Sequence, residues 1–566
     1  MILKAISRNP RIVQWILPEI IRLVPKFGHF FSFLVAKHET ELLKCAFCFL
    51  AEKSALDSCP YTRVLQIPQQ MTLFNHNSTQ SPPNYLGMLA IVIIGLTVYR
   101  SMLWAFTDFT LFFDEAYYWG WAQDLDWGFY SKPPMIAVLI AMTTSVCGDG
   151  ELCVKAGALI VHPLTALLIF SIARMLFDAR TGFFAAVTYI TMPGISWSSL
   201  IISTDVVLLF FWTAGMLLFL KALHSGKMLY WVAAGVCGGL GLLSKYNMIV
   251  FPLSVLFFLF SAPQYRHELK RPGVYVAMAL AVLVFLPNLI WNMQHGFPTF
   301  QHTAEISKVS QKTRHLEELG AFLGSQLGVF GVIFFPTMLY VFARAKSLWD
   351  NEAYRFLICF ALPFLTIISV LALLGRAHAN WATPTYIAGC ILVAAFLVTR
   401  QRVKLWTIAV MINLLLAILA YHWHGIANVL DIRLTAKTDP FKRVQGWREL
   451  AKPVARILAQ YPSALLLSDT RDTLAELIYY VKPHPLNAVA WNPHGKLENH
   501  YELTTTMDDK LGKDFIYVTE LGDIPLLRQS FASVQTLDSI HVSVHEDYSL
   551  DYHVYYLQNF KGYPKQ

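Results

Sequence analysis

The sequence predicts a polytopic α-helical membrane protein that ends in a small α/β domain, and three observations predict it. Of 566 residues, 55% are hydrophobic and only 14% charged, where a soluble globule carries about a quarter charged residues; the mean hydropathy is +0.45. Apolar stretches near the ~20 residues that cross a bilayer recur through the middle of the chain. Beyond residue 424 they stop, and short apolar runs alternate with helical patterns. The formal net charge of +8 is spread in small Lys/Arg clusters between apolar runs. It therefore sets membrane topology and does not mark a nucleic-acid partner.

Residues 1–83 read as an extension to which the sequence assigns no role. No clean apolar core precedes a small-residue cleavage site, and Lys37, His38, Glu39, Glu41 and Lys44 interrupt the one hydrophobic candidate. Cys45 and Cys48 form a C-x-x-C without a βαβ pattern or a second pair, which speaks against a redox or zinc site. Met71 opens a polar lead into the first span, so 1–70 is either an accessory segment or an over-long start.

Residues 84–424 read as the membrane domain, with about eleven spans at 86–106, 152–176, 182–201, 204–223, 228–244, 247–262, 273–292, 319–342, 355–374, 382–399 and 405–424. The apolar stretch 134–147 is too short to be another: about 14 residues at ~1.5 Å each reach ~21 Å, against a hydrocarbon core of ~30 Å. It reads as a helix lying in the interface, begun by Pro133-Pro134 and ended by Gly148-Asp149-Gly150. The positive-inside rule agrees. It places Arg174/Arg180, Lys221/Lys227, Arg266/Lys270/Arg271, Arg344/Lys346/Arg355 and Arg400/Arg402/Lys404 together on the cytoplasmic side. The loops at 107–151, 293–318 and 375–381 then face outward, as does everything after residue 421.

Residues 425–566 read as a soluble α/β domain, with strands expected near 464–467, 487–491, 515–519 and 554–557 and a helix over 473–481. All eight cysteines lie at or before Cys390, so this domain needs no disulfide framework. Cys147 and Cys153 flank the outer loop and could pair in an oxidising compartment, although two free thiols are the favoured reading.

The chemistry concentrates in 112–135, where Asp114 and Glu115 and, further on, Lys132-Pro133-Pro134 stand just outside the first span. With 114–124 helical, Asp114, Tyr117, Tyr118 and Trp121 share one face, and Glu115, Trp119 and Ala122 lie on its neighbour. Aromatic residues collect at headgroup depth in any membrane protein. Carboxylates do not: at the mouth of a span they lose hydration unless something pairs with them, which favours a site over a solvated face.

These residues, with Ser203-Thr204-Asp205, Leu243-Ser244-Lys245-Tyr246 and the Arg376-Ala377-His378-Ala379-Asn380-Trp381 loop, resemble bacterial family-39 glycosyltransferases. That GT-C class includes protein O-mannosyltransferases and the aminoarabinose transferase acting on lipid A. The likeness spans 86–424. Asp469-Thr470-Arg471 and the 475–480 stretch also look like the periplasmic tail of bacterial members.

The resemblance implies an inverting transferase of the bacterial inner membrane, with a periplasmic C-terminal domain. It would move a sugar from a polyprenyl-phosphate carrier to an envelope lipid, such as lipid A, or to a protein. A lipid-linked donor also makes physical sense, since nucleotide sugars are cytosolic and chemistry on the far face needs an activated sugar that crosses on a lipid. Phosphate leaves without a protonating acid, so the enzyme needs chiefly a base and positive charge.

Carried over by position, Asp114 is the base and Glu115 its catalytic neighbour or a metal ligand. Lys132 holds the donor phosphate, with Lys245 and Arg376 as alternatives. Tyr118, Trp121, Asp205, His378 and Asn380 complete the substrate-binding set; Asp205 either lines the cavity or caps its helix. A divalent cofactor is left open, with Glu115 and His378 as candidate ligands. One departure stands out: Ser131 precedes Lys132 where aminoarabinose transferases have an acid, which puts a metal or second carboxylate there in doubt. The rival readings are an envelope polysaccharide polymerase or ligase and, from another class, a transporter. The transporter should show repeated halves and charges at mid-bilayer, whereas here the charges gather near one surface.

Overall fold

A computed structural model describes residues 83–307 and 316–564. The readings made on 1–82, including Cys45, Cys48 and Met71, lie outside the described residues. Contacts divide the described residues into two units, the short Gly425–Ile432 segment and Asn84–His424 with Arg433–Gln566. The second holds the helical bundle, the outer loop and a β-sheet.

Six described helices are long and apolar enough to cross a bilayer: Tyr85–Phe106, Glu151–Leu176, Thr204–Ser225, Pro272–Gln294, Glu352–Leu374 and Val403–Tyr421. A pair bent by 118°, Leu316–Val329 with Phe334–Ala343, makes a seventh if taken as one. The other four expected spans fold as shorter helices, Ala179–Thr191, Met228–Leu242, Val250–Ser261 and Thr385–Thr399. Apolar composition outruns helix length in these segments. Pro193 stands where the first of them breaks, and the second gives way at Leu243 to the Ser244-Lys245 turn. A helix of 13 to 15 residues rises only ~20–22 Å.

Packing sorts the helices by depth. Thr204–Ser225 is buried along most of its length, and its Trp212 ring meets Phe251 and Phe364 edge-on at 5.2 and 5.3 Å. Tyr85–Phe106 and Pro272–Gln294 leave Ile91, Ile94, Val282 and Leu283 exposed, as lipid-facing helices do. Met228–Leu242 approaches Pro272–Gln294 so closely that a Cβ on Gly235 would sit 2.4 Å from the Ala277 carbonyl oxygen. Small residues permit such contact between apolar helices.

At one end of the bundle the loop read as outward forms helix α1 (Phe113–Gln123) and helix α2 (Met135–Cys147), the second of them 13 residues long and so shorter than a span. Against the favoured reading of free thiols, Cys147 and Cys153 form a disulfide that ties the end of α2 to the start of α3 (Glu151–Leu176).

After residue 433 the chain carries a five-stranded mixed sheet in the order β2-β1-β3-β5-β4. Its strands are β1 (Leu465–Ser468), β2 (Val489–Ala490), β3 (Phe515–Thr519), β4 (Phe531–His545) and β5 (Tyr548–Phe560). β1 runs parallel to β2 and β3, while β5 is antiparallel to β3 and β4. Strand β4 was not among the expected strands. It is a largely exposed edge rich in Ser, Thr and His, so it lacks the apolar run that marks a buried strand.

Helix α4 (Arg471–Tyr480) follows β1 and docks on the loop. The Tyr480 hydroxyl accepts the Leu111 N–H at 2.7 Å and donates to Glu151 at 2.6 Å. The Tyr479 hydroxyl donates to the Asp149 carbonyl at 2.6 Å, while Trp119 donates to the Asp149 carboxylate at 2.9 Å. Arg448 pairs with Glu151 from the helix Trp447–Gln460. The sheet thus sits on the same end of the bundle as α1 and α2.

Candidate active site

Asp114 and Glu115 occupy the second and third positions of α1, where the unpaired N–H groups of a helix start favour anions. A residue advances a helix by about 100°, so the two carboxylates point apart and meet different surroundings. Glu115 is fully buried. One of its oxygens accepts from Lys155 Nζ of α3 and from the Phe112 N–H at 2.9 Å, the other from the Ile202 N–H at 2.7 Å. Lys155 also donates to the Leu200 carbonyl at 3.1 Å and lies 3.9 Å over the Trp104 ring. Glu115 is therefore committed to holding α1 on the bundle. The reading of it as a catalytic neighbour or metal ligand is corrected, since no part of the carboxylate faces open space.

Asp114 is partly open, with its side chain 36% exposed. Arg471, the first residue of α4, brings its Nη2 to 3.4 Å from Oδ1. Its guanidinium also covers the Phe113 and Tyr117 rings at 4.9 and 5.2 Å. Burial raises the Asp114 carboxyl above the usual carboxylate range, while Arg471 and Lys132 pull it back.

Lys132 lies in a turn closed by the Phe129 N–H donating to its carbonyl at 3.1 Å, and Met135 N–H donates to the Leu243 carbonyl at 3.0 Å. These bonds join the Lys-Pro-Pro turn to the Ser244-Lys245 turn. Gly128, just before, cannot carry a Cβ, which would fall 2.3 Å from the Trp291 ring. Burial, then neighbouring Lys245, pushes the Lys132 ammonium down to about 8, against the pull of Asp114 and Asp205.

Asp205 begins the most buried span and does not cap it. Its two oxygens accept from Lys245 Nζ and Asn380 Nδ2, each at 2.7 Å. This ties three expected residues from three segments into one cluster. His378 packs against Trp381 at 5.2 Å and is held below the usual histidine range by burial, then Arg376, Lys245 and Lys132. Arg376 is exposed on the same loop. Among the described residues no three His, Cys, Asp or Glu side chains gather in one place.

Tyr118 is buried within electrostatic reach of Asp114 and Asp205. Trp121 is buried too, stacked on Phe129 at 4.5 Å. Two residues join the site that the sequence reading did not place there. Arg471 belongs to a tail motif whose role only the docking of α4 reveals. His302 lies in helix Pro298–Ser307, held near 4 by burial, then Lys132 and Arg471, and the loop residue Tyr130 packs beside it at 5.4 Å. Flanking Lys245 in sequence, Leu242 and Met248 help line an apolar cavity of about 200 Å³ that also includes Trp231, Gly235 and Pro252.

The family model described as dolichyl-phosphate-mannose-protein mannosyltransferase matches residues 131–291. The chain is 29% identical over 433 residues to the lipid A galacturonosyltransferase RgtD of Rhizobium johnstonii, covering 76% of this chain and 90% of that protein. The lipopolysaccharide core galacturonosyltransferase RgtA of the same organism is 27% identical over 186 residues, covering 31% of this chain and 36% of its own length. Among solved structures, ArnT from Cupriavidus metallidurans bound to undecaprenyl phosphate aligns with a TM-score of 0.59 at 15% identity, over 83% of this chain and 98% of its own. Such identity speaks to the fold, while the curated relatives speak to the reaction class. Together they make the chain a polytopic membrane glycosyltransferase with the GT-C fold.

Proposed function

We propose that this enzyme transfers a monosaccharide, with inversion, from a polyprenyl phosphate to lipid A or a related envelope acceptor on the periplasmic face of the bacterial inner membrane. The observation that carries the reading is the gathering of Asp114, Lys132 and the Lys245–Asp205–Asn380 cluster at one end of the bundle, beside an apolar cavity. Lys132 carries no ion pair among the described residues and, with Arg376, is a cation available to hold the donor phosphate. The cavity suits a polyprenyl chain. Asp114 orients an acceptor hydroxyl and takes its proton as the phosphate departs on the opposite side of the anomeric carbon. Asp205 and Asn380 hold Lys245 in place, and Arg376 and His378 line the same mouth.

The lipid A acceptor rests on the names of the curated relatives. The topology rests on the Lys/Arg asymmetry and on parity. Because α4 docks on the outer loop, an even number of crossings must separate them, and the ten of the eleven-span reading satisfy this. On this reading 84–424 is the catalytic membrane domain and 425–566 the periplasmic one. Reporter fusions after Gly375 and after Tyr461 should both read as external.

The direct test incubates purified protein with a panel of polyprenyl-phosphate monosaccharides and lipid A, followed by mass spectrometry and anomeric analysis. A lipid A product of inverted configuration supports the proposal. Transfer only onto a growing glycan chain would move the assignment to a polymerase or ligase.

A further inference from the structure

We propose that Arg471, carried by the sheet domain, is a positioning residue that fixes the Asp114 carboxylate, so that the site is complete only with that domain docked. This rests on the transferase reading and names a further residue of the same site. Among the described residues, Arg471 makes the only ion pair of the Asp114 carboxylate. The guanidinium is itself held on several sides: Asp472 lies 3.3 Å from Nε, and the Phe113 and Tyr117 rings lie beneath. Thr470 caps the start of α4, and Tyr479 and Tyr480 pin its far end to the loop.

Such an arrangement exceeds what stability asks of it. Both partners are about a third exposed, and ion pairs of that kind contribute little to folding. A planar, permanently charged fork held on two rings is instead suited to setting the direction of a carboxylate. At 3.4 Å it leaves the other Asp114 oxygen free to meet an acceptor hydroxyl. Arginine cannot take up that proton, so Arg471 acts through Asp114. The other groups facing Asp114 are Lys132 from the Lys-Pro-Pro turn, Asp472 from α4, and Tyr117 and Tyr118 of its own helix. Of these only Lys132 is a second cation, and the phosphate occupies it.

The test measures kcat and donor KM separately in the full-length Arg471→Gln enzyme. We expect kcat to fall about ten- to hundredfold, as small misplacements of a catalytic group do, with KM changed by less than about threefold. Arg471→Lys should fall between the two, and added guanidinium should restore part of the Arg471→Gln rate but none of an Asp114→Asn rate. Carbodiimide labelling of carboxyl groups, read by mass spectrometry, should modify Asp114 several-fold faster in Arg471→Gln, with exposed Asp124 as the internal control. An unchanged kcat, a loss confined to KM, or failure of guanidinium to rescue would overturn the assignment. If the wild-type enzyme moves no sugar from any donor, the transferase reading fails instead. The labelling then decides the pair alone, since unchanged Asp114 labelling removes it.

Discussion

Two charge clusters flank the same short helix, and they differ in almost every physical respect. On one side Glu115 and Lys155 form a sealed pair, with neither side chain exposed and the hydrogen bonds of the carboxylate filled by protein. Glu476 of α4 lies buried within their electrostatic reach, neither of its oxygens hydrogen-bonded among the described residues. On the other side Asp114 keeps a partly open carboxylate, with Arg471 and Lys132 around it and Lys245 acting on Lys132. Adjacent acids thus serve opposite ends: one anchors the helix that the other works from. The difference comes from burial and partners, not from residue type.

The comparison is broken most severely by cutting the sealed pair. Lys155→Ala leaves the Glu115 charge buried without its partner, a loss of ~3–5 kcal/mol, and the protein should melt far below wild type whatever its substrate. Thermal unfolding in detergent checks this. Lys132→Ala attacks the open cluster instead: kcat/KM should drop about a hundredfold or more with the melting temperature unchanged, as steady-state kinetics beside a thermal melt will read.

The pH profile sharpens the same contrast. The free Lys132 ammonium titrates near 8, so kcat/KM should fall about tenfold per unit above that pH as the positive charge is lost. The raised Asp114 carboxyl must be ionised to act as base, so the acid limb should lie above the ordinary carboxylate range. The smallest effect concerns Glu476, whose carboxyl is held well above its usual range by burial, then by Glu115 and Asp472. A raised acid favours the folded state below its unfolded pKa, and that stability is lost as pH rises towards the folded value. Glu476→Gln should therefore flatten the decline of melting temperature with rising pH while leaving turnover near wild type.

Much of this was legible in the sequence. The two short helices of the loop, the apolar bundle and the candidates Asp114, Lys132, Asp205, Lys245 and Asn380 follow from apolar length, charge placement and motif order. Glu115 was misread because adjacency in sequence cannot say which of two acids faces inward. The signal that could have corrected it is Lys155, a cation within an apolar span, which needs a buried partner. Arg471 was invisible as a site residue because its contact depends on how a separate domain docks. Strand β4 escaped because an exposed edge strand need not look hydrophobic.

The most direct measurement sets Asp114→Asn beside Glu115→Gln, with turnover and melting temperature recorded for each. Asp114→Asn keeps size and hydrogen bonding but removes the base, so turnover should fall by about 10²–10⁴-fold at a wild-type melting temperature. Glu115→Gln should lower the melting temperature first, with activity lost only as the fold is lost. A well-folded Asp114→Asn enzyme with full turnover would contradict the account, because the open carboxylate would then not be the group that does the chemistry.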